Sequence, residues 1–435
     1  MKFYNRENEL TLLERTRKAI SGGARMTIVT GRRRIGKTSL ILKSTQASPH
    51  VYLFVSRKEE VLLCQDFIAE IQKALSIQVF GSFNSFSSIF EYLMELSEQR
   101  PFTLTIDEFQ EFNTINPSVF SEMQRIWDRR KQQSHLNLIL SGSVLSMMKK
   151  IFENAKEPLF GRANERILLK PFSVDTLKEI VSDYHPKYEP IDLLAFFVMT
   201  GGVAKYVELL AERNAFTFEA IIEEVFRPNS FWLDEGKNLL IEEFGKEYTT
   251  YFSILSLMAS AKTSRSDIES ILEKNIGGYL DRLQNEYQII RTVKPVLSKP
   301  GSRNQKYYID DNFLNFWFRF IFKNRNAIEI GNFTYIKDIF KRDFHTFAGR
   351  FLEKWFTEKM ALSQRYNIIG NYWDRADNEI DIVAINETEK IAEFAEVKLN
   401  PGKLDKNLLM TKARKLEDQL KGYTFSYLLL SPGDM

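Results

Sequence analysis

Short apolar runs alternate with longer stretches of helical spacing over the first 170 residues. Strand-sized apolar runs occupy residues 27–30, 51–55, 102–106, 136–140 and 167–169. Stretches with helical spacing separate them, most clearly over residues 59–74 and 90–98. Continuous apolar strands that alternate with helices predict a parallel sheet covered by helices on both faces.

A glycine-rich segment separates the first apolar run from a helix-compatible one. It reads G-R-R-R-I-G-K-T-S over residues 31–39 and leads into Leu40, Ile41 and Leu42. This is the P-loop pattern in the setting of strand, turn and helix that the pattern requires. Glycines let main-chain N–H groups approach phosphate oxygens, and the start of the helix adds to that anion site. An ordinary strand–turn–helix is the structural alternative.

The P-loop pattern gives each residue of the segment a predicted role. Lys37 is predicted to reach the β- and γ-phosphates of ATP, and the Thr38 hydroxyl is predicted to ligate Mg²⁺. The three arginines inside the loop either contact phosphate, contact a partner or are solvated, and the sequence does not choose. The predicted nucleotide-binding residues are Gly31, Arg32, Arg33, Arg34, Ile35, Gly36, Lys37, Thr38 and Ser39.

Two carboxylates end the third apolar run, which reads L-T-I-D-E-F. Ligands of open parallel sheets bind outside the carboxyl ends of the strands, so this position suits a catalytic role. Asp107 is predicted to hold Mg²⁺ through water, and Glu108 is predicted to polarise the attacking water. An apolar run ending in Asp-Glu is by itself typical of any strand that enters solvent. Its position 70 residues after Lys37, with one strand-sized run between, favours the Walker B interpretation.

Two further polar positions flank later strand-like runs. Ser141 ends the fourth run and can contact the γ-phosphate or the attacking water, although Ser-Gly-Ser is an equally ordinary strand exit. Arg162 follows a turn just before the fifth run. An arginine can neutralise transition-state charge in its own chain or in a neighbouring one. A solvated loop arginine is the alternative.

Composition narrows the class of protein. A chain of 435 residues exceeds a single core, so we expect about two to four domains. One cysteine, Cys64, excludes an internal disulfide framework and suits a reducing cytosol. The charged start is not typical of a signal peptide, and no apolar run approaches the roughly 20 residues of a transmembrane helix. We therefore expect a cytoplasmic protein with no membrane association. A net charge of +3 does not by itself imply a nucleic-acid partner.

The middle of the chain changes character twice. Residues 171–240 are mostly helical by pattern and are interpreted as a lid. Residues 241–312 contain helical patterns, N-cap chemistry in T-S-R-S-D at residues 263–267, and two strand-like runs around Pro300, Gly301 and Ser302, which is the outline of a winged helix. Residues 291–325 carry eight Lys or Arg, Arg303 among them, against two Asp, which leaves +6 and favours a phosphate backbone as partner. A winged helix can equally serve as an interdomain arm.

The last region, residues 313–435, predicts the order α-β-β-β-α-β. Asp381 lies in its second strand-like run, while Glu396 and Lys398 share a face at the end of the third. If residues 387–390 form a hairpin loop, Asn386 pairs with Ile391 and Asp381 falls opposite Glu396. Carboxylates about 5 Å apart at Cβ can share a divalent metal. Lys398 can then orient or deprotonate a water whose pKa the metal lowers.

This metal-site interpretation depends on the strand register. A slip of one residue would put the two carboxylates on opposite faces of the sheet. A cross-strand cluster of salt bridges on an exposed face is the alternative.

Several motifs together resemble the archaeal-type ATPase family, which belongs to the AAA+/STAND-like P-loop ATPases. They are F-Y-N-R-E-x-E-L at residues 3–10, the P-loop, I-D-E-F-Q at 106–110, L-F-G-R at 159–162 and T-G-G-V at 200–203. The resemblance implies that the segment around Arg6 and Glu7 lies beside the adenine, and that residues 200–205 open a lid helix near the nucleotide. Asn5 stands where the family commonly has glycine, and Ala204 where it commonly has proline.

Residues 344–430 resemble the PD-(D/E)XK nuclease fold. The resemblance implies that Asp381, Glu396 and Lys398 occupy its metal-binding and water-activating positions and that Glu353 is its helix carboxylate. Glu353 fits less cleanly, because helical spacing puts it opposite the apolar stripe that includes Phe351. ATPases of this kind often resemble nucleases in this region without demonstrated cleavage.

These observations predict an α/β protein with four parts: a P-loop NTPase core (1–170), a helical lid (171–240), a winged helix (241–312) and a PD-(D/E)XK nuclease-like domain (313–435). The leading hypothesis is an ATP-hydrolysing switch that uses ATP and Mg²⁺ and acts on DNA through its winged helix and candidate nuclease tail. The alternative is a nucleotide-switched signalling or scaffold protein whose nuclease-like domain only binds a partner. Either can form a homo-oligomer, which would decide whether Arg162 acts within one chain or across two.

Overall fold

The computed structural model describes residues 1–244, 248–299, 301–302, 304–374 and 378–435. Pro300 and Arg303 of the predicted wing lie outside these residues. The described residues divide into two compact units. The P-loop unit is Asn5–Lys170, and the C-terminal unit combines Met1–Tyr4 with Pro171–Met435.

The P-loop unit alternates strands and helices as the apolar pattern predicts. Its helices are α1 (Glu7–Lys18), α2 (Lys37–Thr45), α3 (Glu60–Leu75), α4 (Phe86–Gln99), α5 (Phe112–Ile115), α6 (Ser118–Arg130) and α7 (Leu145–Glu153). Its strands are β1 (Arg25–Thr30), β2 (His50–Phe54), β3 (Phe102–Asp107), β4 (Leu136–Gly142) and β5 (Glu165–Leu168). The strands are parallel in the order β2-β3-β4-β1-β5, which confirms the predicted P-loop NTPase sheet.

Burial and register explain why this sheet gathers polar side chains at one edge. Every residue of β3 and β4 is buried, as expected for central strands covered on both faces. Thr30 pairs with Gly142, and Phe54 pairs with Asp107. The carboxyl ends of four strands therefore meet at the edge from which the P-loop departs.

The first part of the C-terminal unit is largely helical, as predicted. Its helices are α8 (Val174–Tyr184), α9 (Pro190–Thr200), α10 (Ala204–Glu212), α11 (Phe218–Val225), α12 (Phe231–Phe244), α13 (Tyr248–Ala259), α14 (Arg265–Leu272) and α15 (Gly277–Asp281). The antiparallel strands β6 (Ile290–Val293) and β7 (Lys306–Ile309) follow them. The Ser264 side chain accepts a hydrogen bond from the backbone of Asp267, so the predicted N-cap is confirmed.

The remainder of the unit holds a second, mixed sheet. Its helices are α16 (Asn312–Phe316), α17 (Arg325–Glu329), α18 (Phe333–Leu362) and α19 (Lys406–Glu417). Its strands are β8 (Ile368–Trp373), β9 (Glu379–Asn386), β10 (Ile391–Val397) and β11 (Thr424–Leu430). The order is β11-β10-β9-β8, with β10 and β11 parallel and the other neighbours antiparallel.

Helix α18 is longer than the apolar stripe predicts. It begins eleven residues before Phe344, at Phe333, and the Asn332 side chain accepts the backbone N–H of Tyr335 at 3.2 Å. This cap fixes the start, because it satisfies a donor that lacks a partner within the helix. The division of residues 171–435 into lid, winged helix and nuclease-like domain stays a prediction.

No helix in the described parts of the chain is both long enough and apolar enough to cross a membrane.

Candidate functional site

Three residues of the P-loop have positive φ, a backbone conformation that residues other than glycine rarely adopt. Gly31 has φ 154° and Gly36 has φ 95°, while Arg34 between them has φ 67°. A Cβ on Gly31 would lie 2.8 Å from the carbonyl oxygen of Leu169, the residue after β5. The loop therefore needs glycine at residue 31 for space as well as for conformation. This is the backbone cradle that phosphate binding requires.

Lys37 is buried beneath this loop. Its side chain is 7% exposed, and Nζ donates to the carbonyl oxygens of Gly31 at 2.9 Å and Arg32 at 3.1 Å. Burial lowers the pKa of Lys37 to about 8, with Asp107 and Glu108 opposing the shift and Arg33 adding to it. The nearby carboxylates do not fully offset the cost of burying the Lys37 ammonium. A negatively charged phosphate oxygen would therefore be a better partner than the two neutral carbonyls.

The Walker B aspartate is held by two hydroxyl groups. Thr38 Oγ1 donates to Asp107 Oδ2 at 3.2 Å, and the Tyr52 hydroxyl donates to the same oxygen at 2.5 Å. Burial and the carboxylate raise the pKa of Tyr52 above its ordinary range, so it remains a donor. The predicted pair of magnesium residues, Thr38 and Asp107, is therefore brought together. The sequence analysis did not identify Tyr52, whose hydroxyl is the polar group in the otherwise apolar end of β2.

Glu108 is oriented by residues on both sides of it. It adopts a left-handed backbone with φ 53°, and its N–H donates to Asp107 Oδ1 at 3.0 Å. Ser143 Oγ donates to its carboxylate at 2.7 and 2.9 Å, and Gln110 Nε2 donates at 2.5 Å. The Ser141 hydroxyl is buried and has no hydrogen-bond partner among the described residues. The serine that contacts the predicted catalytic carboxylate is thus Ser143, while a role for Ser141 stays a prediction.

Arg162 lies at the opposite edge of the sheet from the P-loop. It precedes β5, and two residues later Asn164 exchanges hydrogen bonds of 2.8 Å with the backbone of Met26, at the start of β1. Gly31 lies five residues after Met26 along the strand direction, which is about 16 Å at about 3.3 Å per residue. Arg162 instead pairs with Asp128 at 2.9 Å. The geometry does not bring Arg162 to its own P-loop, and a role in a neighbouring chain stays a prediction beside the loop-arginine alternative.

Arg6 lies close to the nucleotide edge. Its Nη2 donates to the carbonyl oxygen of Lys170 at 2.6 Å, one residue beyond the Leu169 carbonyl that faces Gly31. Asn5 has φ 55°, a conformation that glycine and asparagine tolerate best. This explains how asparagine replaces the family's glycine. Contact between Arg6 and adenine stays a prediction, as do the roles of the half-buried Arg32, Arg33 and Arg34 and of the neighbouring Ile35 and Ser39.

In the C-terminal unit, the predicted lid motif forms a tight turn before α10. Gly201 and Gly202 have φ 52° and 76°, and the Thr200 hydroxyl accepts the N–H of Gly202 at 3.3 Å. Ala204 is the first residue of α10, a position that favours proline because its N–H needs no helical partner. Alanine keeps the helix start intact.

The C-terminal sheet has the predicted register. Asn386 pairs with Ile391, and the ladder continues to Ile382 opposite Ala395. Asp381 and Glu396 are the next residues on the two strands, just beyond the end of this ladder. Both are buried, at 8% and 6% exposure. The one-residue slip that would separate them does not occur.

Lys398 lies between the two carboxylates. Its Nζ is 3.0 Å from Asp381 Oδ2 and 2.9 Å from Glu396 Oε1. Burial disfavours the ammonium, but the hydrogen bonds and charges of Glu396 and Asp381 outweigh burial and raise the pKa of Lys398. The Val397 N–H also donates to Asp381 at 2.8 Å, and Lys412 of α19 lies 3.3 Å from Glu396. Sequence reasoning missed Lys412, which helix α19 brings to the cluster.

Glu353 of α18 faces the same cluster. Burial raises its pKa to about 8, and the nearby Asp381 and Glu379 contribute, with Lys398 opposing. Among the described residues, no three Asp, Glu, His or Cys side chains are grouped closely enough to hold a metal ion. In the described geometry, the Lys398 ammonium lies between Asp381 and Glu396. Metal ligation by Asp381, Glu396 and Glu353 therefore stays a prediction, and binding would require Lys398 to turn aside.

Comparison with known proteins agrees with the geometry of the P-loop unit. Residues 3–210 match a family model described as an ATPase domain predominantly from Archaea. An uncharacterized protein of Methanocaldococcus jannaschii is 31% identical over 406 residues, which cover 91% of this chain and 87% of that protein. The chain belongs to the archaeal-type ATPase family. Residues 317–412 of this ATPase match a second model, described as archaeal and bacterial proteins of unknown function.

Two solved structures share the fold of this ATPase. A Walker-type ATPase of Pyrococcus abyssi is 19% identical with a TM-score of 0.55, covering 73% of this chain and 96% of that one. The ORC2 protein of Aeropyrum pernix, in ADPNP–ADP complexes, is 13% identical with a TM-score of 0.50, covering 76% and 96%. At these identities the likeness concerns the fold alone.

Proposed function

We propose that this ATPase is an ATP-hydrolysing switch protein that acts on DNA and binds ATP with Mg²⁺ at the P-loop. The observation that carries the proposal is the meeting of Lys37, Thr38, Asp107 and Glu108 at one edge of the sheet. Thr38 and Asp107 would hold Mg²⁺, which would neutralise charge that develops during hydrolysis. The backbone cradle at Gly31 suits a phosphate group, and the side-chain oxygens of Thr38 and Asp107 suit Mg²⁺.

Each residue of the site has a distinct role in this proposal. Lys37 exchanges its two loop carbonyls for phosphate oxygens. Thr38 and Tyr52 hold Asp107 in one orientation, so that little reorganisation accompanies binding. Glu108, oriented by Ser143, accepts a proton from the attacking water.

Two substitutions test the site, each with a matched control. Lys37→Ala should weaken binding of ATP-Mg by about 100-fold, because it removes a buried charge-assisted hydrogen bond. Lys43→Ala, on the exposed face of the same helix, should not change binding. Glu108→Gln should leave binding unchanged and lower the hydrolysis rate by about 10²–10⁴-fold. Unchanged ATP-Mg affinity in Lys37→Ala would refute the site assignment.

A second candidate function is metal-dependent cleavage of nucleic acid by the C-terminal cluster. The observation that favours it is Lys398, whose Nζ lies 3.0 Å from Asp381 Oδ2 and 2.9 Å from Glu396 Oε1. In the metal-free protein Glu396 and Asp381 outweigh burial and raise the pKa of Lys398; beside a bound metal, Lys398 would orient or deprotonate the attacking water.

A cleavage assay separates this function from the scaffold alternative. With Mg²⁺ or Mn²⁺, wild-type protein should cut DNA, while Asp381→Ala and Lys398→Ala should not, and the exposed Lys390→Ala should match wild type. Equal activity in all four proteins would assign any cleavage to something other than this cluster. No cleavage by any of them would favour a nucleotide-switched protein whose C-terminal region only binds a partner.

A further inference from the structure

Strand β7 of the β6–β7 hairpin contacts, at its two ends, the elements that carry the carboxylates. Lys306, at the start of β7, has its Nζ 3.4 Å from Glu379 Oε1, and Glu379 shares a face of β9 with Asp381. Just after β7, the carbonyl oxygen of Asp310 accepts a hydrogen bond from Lys354 at 2.8 Å. Lys354 is the neighbour of Glu353 on α18. Strand β7 therefore bridges β9 and α18 beside the carboxylate cluster.

Tyr308 lies midway along this bridge. The alternation of a strand puts its side chain on the same face as Lys306, towards the gap between β9 and α18. It is half-buried there, and burial together with Glu353 and Glu379 raises its pKa. Its phenol thus belongs to the surroundings of the cluster rather than to a separate surface.

Two arginines accompany Tyr308. Arg291 is its cross-strand partner in the hairpin and is exposed, with Nε 3.5 Å from Asp310 Oδ1. Arg350 lies one helical turn before Glu353, and its Nη2 donates to Asn315 Oδ1 at 2.6 Å. The hairpin and α18 therefore add two arginines and a phenol to the surroundings of the cluster, which also include Asp310 and Glu353.

This distribution matches the chemistry of a phosphodiester chain. A backbone phosphate needs cationic and hydrogen-bonding partners, while the adjacent carboxylates are suited to a divalent cation. We infer that the β6–β7 hairpin is the third wall of the carboxylate site, and that Arg291 and Tyr308 hold the backbone of a nucleic-acid strand beside Asp381 and Glu396. Arg350 is not assigned a phosphate contact, since its guanidinium donates to Asn315 and lies over Phe351 at 4.9 Å. The inference rests on the proposed function for the chemistry at Asp381, but the strand-binding surface can be measured apart from it.

The test uses the full chain and fluorescein-labelled oligonucleotides, single-stranded in one arm and duplex in the other. Ca²⁺ replaces Mg²⁺ so that binding is measured by anisotropy without cleavage. Arg291→Gln should lower affinity about three- to tenfold and reduce the salt slope by about one phosphate contact. Tyr308→Phe, which keeps the ring, should lower affinity about threefold with an unchanged salt slope. The control is Arg15→Gln, because Arg15 is an exposed arginine of the P-loop unit that pairs with a carboxylate, Glu165, as Arg291 does with Asp310.

The outcomes separate this inference from the proposed nuclease function. If wild-type protein binds neither oligonucleotide, or if both hairpin variants bind as Arg15→Gln does, the hairpin is not a wall of the site. That second result would stand against the inference even if calorimetry shows Mn²⁺ binding that Asp381→Asn abolishes. If the hairpin variants lose affinity while the protein neither binds Mn²⁺ nor cuts DNA, the strand surface stands and the metal chemistry fails. The preferred arm, single-stranded or duplex, identifies the form of nucleic acid.

Discussion

Replacing Glu353 with glutamine should stabilise the metal-free protein at alkaline pH. Glu353 is held in a site that raises its pKa from an ordinary 4.5 to about 8, chiefly through burial and then through Asp381. Each pH unit between those values corresponds to about 1.4 kcal/mol, so ionising Glu353 in the folded chain costs on the order of 5 kcal/mol. Part of this free energy comes from repulsion between Glu353 and Asp381, so about 5 kcal/mol is an upper value for Glu353 alone.

The direction with pH follows from proton binding. Between pH 4.5 and about 8, the folded chain keeps a proton on Glu353 that the unfolded chain has lost. Stability contributed by the protonated carboxyl is complete below pH 4.5 and is lost as the pH rises to about 8. Glutamine is neutral throughout and close in shape. The variant should therefore match wild type in acid and become progressively more stable above pH 4.5.

The assay is thermal unfolding of wild type, Glu353→Gln and Glu389→Gln in a chelating buffer across this pH window. Glu389 lies exposed in the β9–β10 loop, so its substitution controls for the loss of one negative charge. Added Mn²⁺ should reverse the order, because a metal ion would stabilise the ionised form of Glu353 that the variant lacks. A difference between wild type and Glu353→Gln that does not change with pH would refute the electrostatic reasoning. So would a variant less stable than wild type at alkaline pH without metal.

Three further predictions concern the P-loop unit. Because burial lowers the pKa of Lys37 to about 8 and phosphate binding favours its charged form, ATP affinity measured by calorimetry should fall above pH 8, approaching tenfold per pH unit; a flat profile would contradict this. Ser143→Ala should lower the hydrolysis rate about tenfold while leaving ATP affinity unchanged, because it frees the Glu108 carboxylate, and Ser141→Ala should have the smaller effect. Gly31→Ala should destabilise the P-loop unit by about 1–3 kcal/mol in chemical denaturation, because its Cβ would meet the Leu169 carbonyl; an unchanged midpoint would show that the loop shifts freely.

The sequence predicted those elements whose geometry is set by residues close together in the chain. The P-loop, the strand ending in Asp107 and the β9–β10 register follow from glycine spacing, apolar runs and a hairpin loop of fixed length. Tyr52 and Lys412 could not be found in that way, because β2 and α19 bring them to their partners only through tertiary packing.

Arg162 illustrates a prediction that topology could have sharpened. A residue that precedes a parallel strand lies at the amino edge, whereas the P-loop follows a strand and lies at the carboxyl edge. Ser141 and Ser143 show the limit of arguments from sequence spacing. They are two positions apart at the end of β4, and the sequence alone does not show which hydroxyl contacts Glu108. Glu353 shows the converse: a carboxylate opposite the main apolar stripe still faces the C-terminal cluster, because α18 is covered on more than one side.

The hydrogen bond from Arg6 to Lys170 brings the two ends of the P-loop unit close together, which would allow the unit to be circularly permuted. The chain enters this unit at Asn5 and leaves it at Lys170, so the unit is one uninterrupted insertion whose two ends lie side by side. A short linker could join those ends, and new termini could be opened at Gly81, where an added Cβ would meet no atom within 4 Å. A circularly permuted ATPase unit of this kind would report nucleotide binding in the absence of residues 171–435.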